Sequence, residues 1–153
     1  MKKLILMPIL WVLYLTPSWS QEMGLKVNKE FGNLTDYVGC ARFSPFRNYF
    51  AYSLGNNTLR IFDRNWDVIF EHQGNPEAGS GYFAFSPDEK YMAYGRYKGK
   101  NDIAIIRLAD MKVTQVLNQH SFYINHLEFS HDGKWLTSCS HDGQMIIWNL
   151  QDD

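Results

Sequence analysis

Apolar positions in this chain follow two patterns. From Leu4 to Leu15 a stretch of twelve uncharged residues is interrupted only by Pro8. Beyond residue 20 the apolar runs shorten to four or five residues, each bounded by turn-forming residues. Short runs rich in Val, Ile, Tyr and Phe predict strands. Three of them begin with an aromatic: Tyr49-Phe50-Ala51-Tyr52, Tyr91-Met92-Ala93-Tyr94 and Trp135-Leu136-Thr137-Ser138. A second set follows at Leu59 to Asp63, Ile103 to Arg107 and Met145 to Asn149. The apolar residues of Met145 to Trp148 succeed one another without alternating, which predicts a sheet buried on both faces. No strong helical period appears after residue 20.

These strands belong to a repeat. Phe43-Ser44, Phe85-Ser86 and Phe129-Ser130 recur at spacings of 42 and 44, and each is followed by a turn and an aromatic six residues after the Phe. The distance from that Phe to the end of the second strand is 20, 22 and 20 residues. Asp132-Gly133 and Asp142-Gly143 supply the positive φ that tight hairpins demand. Repetition at this period is the signature of stacked, individually unstable units. Val68-Ile69-Phe70 and Val113 to Leu117 are the expected outer strands of the first two copies, and Leu25 to Phe31 reads as a lone strand ahead of them.

Residues 120–149 resemble a WD repeat. His120 stands nine residues before Phe129, the turn His141-Asp142-Gly143 follows, and Ile147-Trp148-Asn149 occupies the place of the usual Trp-Asp. The resemblance implies a structural hydrogen-bond network of His120, Ser138 (or Ser140 on the same strand face), Asp142 and Trp148. In the other copies Leu34 and Pro76 take the His position, Phe62 and Ile106 replace Trp148, and Asn56 stands for Asp142. The second copy also resembles the propellers of TolB-type periplasmic proteins. The expected fold is therefore all-β, an open arc of about three four-stranded β-propeller blades, an incomplete WD40-like propeller. Its blades are expected at residues 37–78, 79–121 and 122–153, the last lacking its outer strand and residues 21–36 forming an N-terminal segment. Three blades cannot close a ring, so exposed end blades should seek partners or self-associate. A third copy that stops inside a blade reads as the front piece of a longer frame.

Composition and charge narrow the surroundings. Lys2 and Lys3, the uncharged run, Pro17 and the small residues Ser18 and Ser20 read as an export signal over residues 1–20. The run is too short to span a bilayer, which needs roughly 20 residues, and no Cys follows it for lipidation. A secreted or periplasmic chain without a stable membrane anchor is expected. Losing Lys2 and Lys3 lowers the basic count from 15 to 13 against 16 acidic residues. No long basic run remains, which disfavours a nucleic-acid backbone as partner. Cys40 and Cys139 fall on strands of non-neighbouring blades and are expected as buried free thiols.

Candidate chemistry is sparse. Ser138, His120 and Asp142 have the residue types of a hydrolytic triad, but the structural network accounts for all three, so no catalytic residue is expected. His120, His126, His131 and His141 crowd the third copy at spacings of 6, 5 and 10, which match no zinc pattern. No metal or other cofactor is expected. Asn33-Leu34-Thr35 and Asn56-Asn57-Thr58 match a glycosylation pattern that matters only in a secreted eukaryotic chain, and the Lys-Lys start reads as bacterial. Partner-binding candidates are Tyr37 and Tyr123 at the start of the innermost strands, and Arg96, Tyr97, Lys98 and Lys100 in the longer loop of the second copy, which could meet an acidic partner. The implied function is an exported, non-catalytic scaffold that binds a protein or peptide. The alternative is the propeller portion of a longer exported peptidase or dehydrogenase.

Overall fold

The computed structural model describes residues 29–31, 34, 36–73, 81–97 and 101–151. The export signal of residues 1–20 lies outside them, as does most of the lone strand expected at 25–31. The described part of that segment, residues 29–31, is irregular and not a strand.

Among the described residues there are eleven strands and no helix. Blade one is β1 (Val38–Phe43), β2 (Phe50–Leu54), β3 (Leu59–Phe62) and β4 (Val68–His72), in that spatial order. Blade two is β5 (Phe83–Phe85), β6 (Tyr91–Arg96), β7 (Asp102–Arg107) and β8 (Lys112–Leu117). Blade three holds β9 (Ile124–Phe129), β10 (Trp135–Ser140) and β11 (Met145–Asn149). Every pair is antiparallel and sequential, as short hairpin connections require.

The repeat fixes the register. Phe43 pairs with Phe50, Phe85 with Met92 and Phe129 with Leu136. The turn between these strands places Arg47, Glu89 and Gly133 at positive φ (60°, 54° and 72°). Only the third copy uses glycine, the residue that adopts this conformation without a Cβ penalty. The next turn repeats the pattern with Asn57 at 62° and Gly143 at 81°.

Register sorts the side chains by face. Met92, Tyr94 and Ile106 of blade two meet Ala51, Leu59 and Ile61 of blade one in one buried cluster. From the other face of blade two, Ala93, Ile103 and Ile105 meet Ile124, Leu127 and Leu136 of blade three. Blade two is buried on both faces, as successive apolar residues predict.

Blade three is covered on one face only, as an end blade of an open arc is expected to be. Trp135, Met145 and Ile147 share its far face and are 43%, 66% and 59% exposed. No described residue packs over them, and β11 is an open edge among the described strands. The apolar succession in β11 reports a face built for a neighbour, not one already covered. Cys40 and Cys139 are free, but half-buried and not fully buried: Cys139 shares the open face of blade three with Met145, and Cys40 packs at the margin of the core between blades one and two.

This asymmetry has a measurable consequence. Leu136→Ala, which empties a fully buried site, should cost about 2–5 kcal/mol in urea unfolding. Ile147→Ser should stay within about 0.5 kcal/mol. A large loss from Ile147→Ser would show that the far face of blade three is covered in solution.

Candidate functional site

In blade three, Ser138 is fully buried on β10, opposite Ile146 and beside Trp148 of β11. Its Oγ lies 2.7 Å from His120 Nε2 and accepts the Trp148 indole N–H at 2.9 Å. His120 Nδ1 lies 2.9 Å from Asp142 Oδ2, which also accepts the Ser121 N–H at 2.9 Å. The His120 and Asp142 side chains are only 1% and 3% exposed. Asp142 Oδ1 accepts the Gln144 N–H and so forms the turn into β11. Ser140 stands outside this network: it donates to the Phe122 carbonyl and accepts the Asp142 N–H. Every polar group in the chain His120–Ser138–Trp148 has a partner, which a buried network requires. Ser138 is fully buried, and its hydroxyl is taken up by His120 and Trp148.

Blades one and two replace this network with other contacts. Tyr94 occupies the position of Ser138, and its hydroxyl crosses to the carbonyl and side-chain oxygens of Asn57 in blade one. Burial pushes the Tyr94 phenol well above its ordinary value, which keeps it a neutral donor. Gly81 makes room, since a Cβ there would fall 2.0 Å from Asn57 Oδ1 and 2.5 Å from the Tyr94 ring. Tyr52, at the same position in blade one, receives a hydrogen bond from Arg60 Nη1 at 3.0 Å. Asn56 keeps the turn-forming half of the Asp142 role by accepting the Thr58 N–H at 3.0 Å.

Four of the six partner-binding candidates gather at one mouth. Tyr37, Arg96, Tyr97 and Tyr123 line a depression of about 220 Å³, together with Tyr82, His141, Asn57, Asn101 and Asn125. Tyr37 and Tyr123 are held alike, each carbonyl accepting an N–H at 2.8 Å, from Gly55 and His141 respectively. Tyr37 is 63% exposed and its ring lies on Gly55, where a Cβ would meet it at 2.2 Å. Tyr123 is half-buried instead, because Tyr97 packs on it at 4.6 Å between ring centroids. Arg96 is not in a loop: it ends β6 and grips Asp102 of β7 through two hydrogen bonds of 2.8 and 2.9 Å. Lys98 and Lys100 lie outside the described residues. Tyr82 was not evident from sequence, since it breaks the six-residue spacing to Phe that marks Tyr37 and Tyr123.

The four histidines of blade three do not converge. His126 faces Glu128 at 3.6 Å, His131 is exposed in a turn, and His141 lies beside Tyr123. Among the described residues, no three His, Cys, Asp or Glu side chains form a group able to hold a metal ion.

Residues 111–149 match the family model described as WD domain, G-beta repeat. This stretch is a WD repeat. It runs from β8 through β11, so the sequence unit is offset by one strand from the sheet of blade three. Over 90% of its length the chain is 35% identical to apoptotic protease-activating factor 1 of Rattus norvegicus, and spans 14% of that relative. It is 32% identical to the protein LST8 homolog of Drosophila melanogaster over 69% of the chain and 36% of the relative. WD repeat-containing protein 55 of Arabidopsis thaliana is 32% identical over 33% of the chain and 14% of its own length. The chain thus spans well under half of these relatives.

Two measurements probe the network of the WD repeat. Ser138→Ala strands the Trp148 N–H and the His120 ring and should cost about 1–3 kcal/mol in urea unfolding; an unchanged midpoint would show that the network is not stabilising. The second concerns pH. Burial raises the Asp142 pKa, but the Ser121 N–H, His120 and the Gln144 N–H outweigh it and hold the value at about 2. Asp142 therefore contributes stability above its unfolded pKa of about 3.9, and loses it as pH falls through its folded value. The gap in stability between wild type and Asp142→Asn should narrow as pH drops from about 4 towards 2. A constant gap would contradict this.

Proposed function

We propose that the chain is a non-catalytic interaction module that takes an acidic, acceptor-rich peptide segment of a partner protein at the tyrosine-lined mouth. One observation carries the reading: the lining brings tyrosine rings, Arg96 and three asparagines together, with no Asp or Glu among the described lining residues. Tyrosine and arginine are the residues on which interfaces concentrate their binding energy. The Asp102 grip uses two of five guanidinium donors, leaving Arg96 fixed with N–H groups to spare. At about 220 Å³ the depression is below the usual range of roughly 300–1,000 Å³ for small-molecule pockets, and suits the anchor residues of a peptide. A WD repeat within the chain and a relative named for activating a protease support a partner-binding role. Ser138, bonded to both His120 and Trp148, supports the absence of catalysis.

Export is part of the same proposal, supported by Lys2, Lys3 and the uncharged run Leu4 to Leu15. Among the described residues, no helix is long and apolar enough to cross a membrane.

Fluorescence anisotropy with a labelled Asp- and Glu-rich peptide tests the site. Tyr97→Ala/Tyr123→Ala should weaken binding by about ten-fold or more, the loss of about 1.4 kcal/mol expected of an interface anchor. Equal affinity for wild type and variant would overturn the assignment.

A further inference from the structure

We propose a second docking surface at the opposite end of the blades: the groove between blades two and three binds an extended peptide segment of another protein that carries Lys or Arg beside an apolar anchor. The two sites flank β9, whose first residue Ile124 lines the mouth and whose last residue Phe129 lines the groove. The groove encloses about 1150 Å³, room for several residues of extended chain. Phe85, Ile105, Phe129 and Leu150 give it an apolar floor, and Phe46 reaches it from blade one.

Charge selects the occupant. Asp88, Glu128 and Asp132 line the groove against one guanidinium, Arg107. That cation is already held by Asp110 through hydrogen bonds of 2.9 and 2.7 Å. Lys90 lies 3.3 Å from Asp88, but both side chains are exposed, and such pairs are weak. Asp132 directs Oδ1 at the Ser130 hydroxyl and the Lys134 N–H and makes no ion pair among the described residues. Hydrogen bonds to Asp88 from Ser86 and to Asp132 from Ser130 help lower both carboxyl pKa values, although burial opposes this most strongly at Asp88. The uncompensated charge is negative.

A missing side chain keeps the groove open. Between blades one and two, the buried Glu89 reaches back from its turn to the Phe46 N–H, and accepts from Asn48 Nδ2 at 2.5 Å. The equivalent residue of blade three is Gly133, where a Cβ would sit 3.7 Å from Pro87 of blade two. Among the described residues no carboxylate bridges those two turns, and the space over Pro87 is left for another chain.

The test uses the full chain and a labelled peptide of alternating Lys and Leu with one Phe. Wild type should bind it in low salt. Asp88→Asn/Asp132→Asn keeps the side-chain oxygens that form the turns, and should weaken binding about five-fold, the sum of two exposed charge contacts. Gly133→Gln should weaken it by about ten-fold or more by filling the groove; Arg47 and Glu89 show that the turn accepts residues other than glycine. Tyr97→Ala/Tyr123→Ala should leave binding of this peptide unchanged, which separates the groove from the mouth. The proposal is overturned if the peptide fails to bind or if both groove variants bind normally. It is equally overturned if binding falls instead on Ile147→Ser, which would assign the peptide to the open face of blade three.

Discussion

A propeller blade is a sheet with two apolar faces, and neither face is stable until another sheet covers it. This requirement governs the molecule. Blade two has a neighbour on each side, so β6 and β7 are almost wholly buried and their apolar residues run in succession. Fully burying one large apolar side chain is worth roughly 1.5–3 kcal/mol, so these two interfaces dominate what holds the described blades together. The same chemistry on β10 and β11 leaves Trp135, Met145 and Ile147 facing solvent.

Polar groups do a different task in each blade. In blade three, His120, Ser138, Asp142 and Trp148 tie together the approach to β9, the middle strand and the last turn within one sheet. In blade two, the Tyr94 hydroxyl spends the equivalent position on a bond to Asn57 of the preceding blade. Glu89 does likewise at the other end, bridging to Phe46 and Asn48. Blades one and two are thus joined by side-chain hydrogen bonds at both ends. Where blade three meets blade two, Gly133 takes the place of Glu89, and the groove opens at that point.

The repeat made the strand register legible, because Phe-Ser, a turn and an aromatic recur at fixed offsets. The network of blade three was legible only through the resemblance of residues 120–149 to a WD repeat, with which the need of buried imidazole and indole groups for partners agrees. The conformations of Arg47, Glu89 and Asn57 were hidden: nothing in those residue types demands positive φ, and only comparison with Gly133 and Gly143 exposes it. Arg96 was placed in the longer loop of the second copy because the length of its strand could not be read without its partner Asp102. Exposure of β11 was legible from the number of blades and not from its apolar pattern, since such a pattern records what a face is suited to meet and not whether anything meets it. The mouth was partly foreseen through Tyr37 and Tyr123. The groove was not, because it depends on residues of three blades brought together only by packing.

Amide hydrogen exchange tests most directly the claim that stability centres on a doubly covered blade beside an open one. Strands β6 and β10 are both second strands of their sheets, flanked by hydrogen-bonded neighbours on each side, and differ chiefly in how their faces are covered. Amides of Met92, Ala93 and Tyr94 should exchange markedly more slowly than those of Leu136, Thr137 and Ser138. Equal protection of the two strands would contradict the account, because it would mean that the far face of blade three is as well covered as blade two.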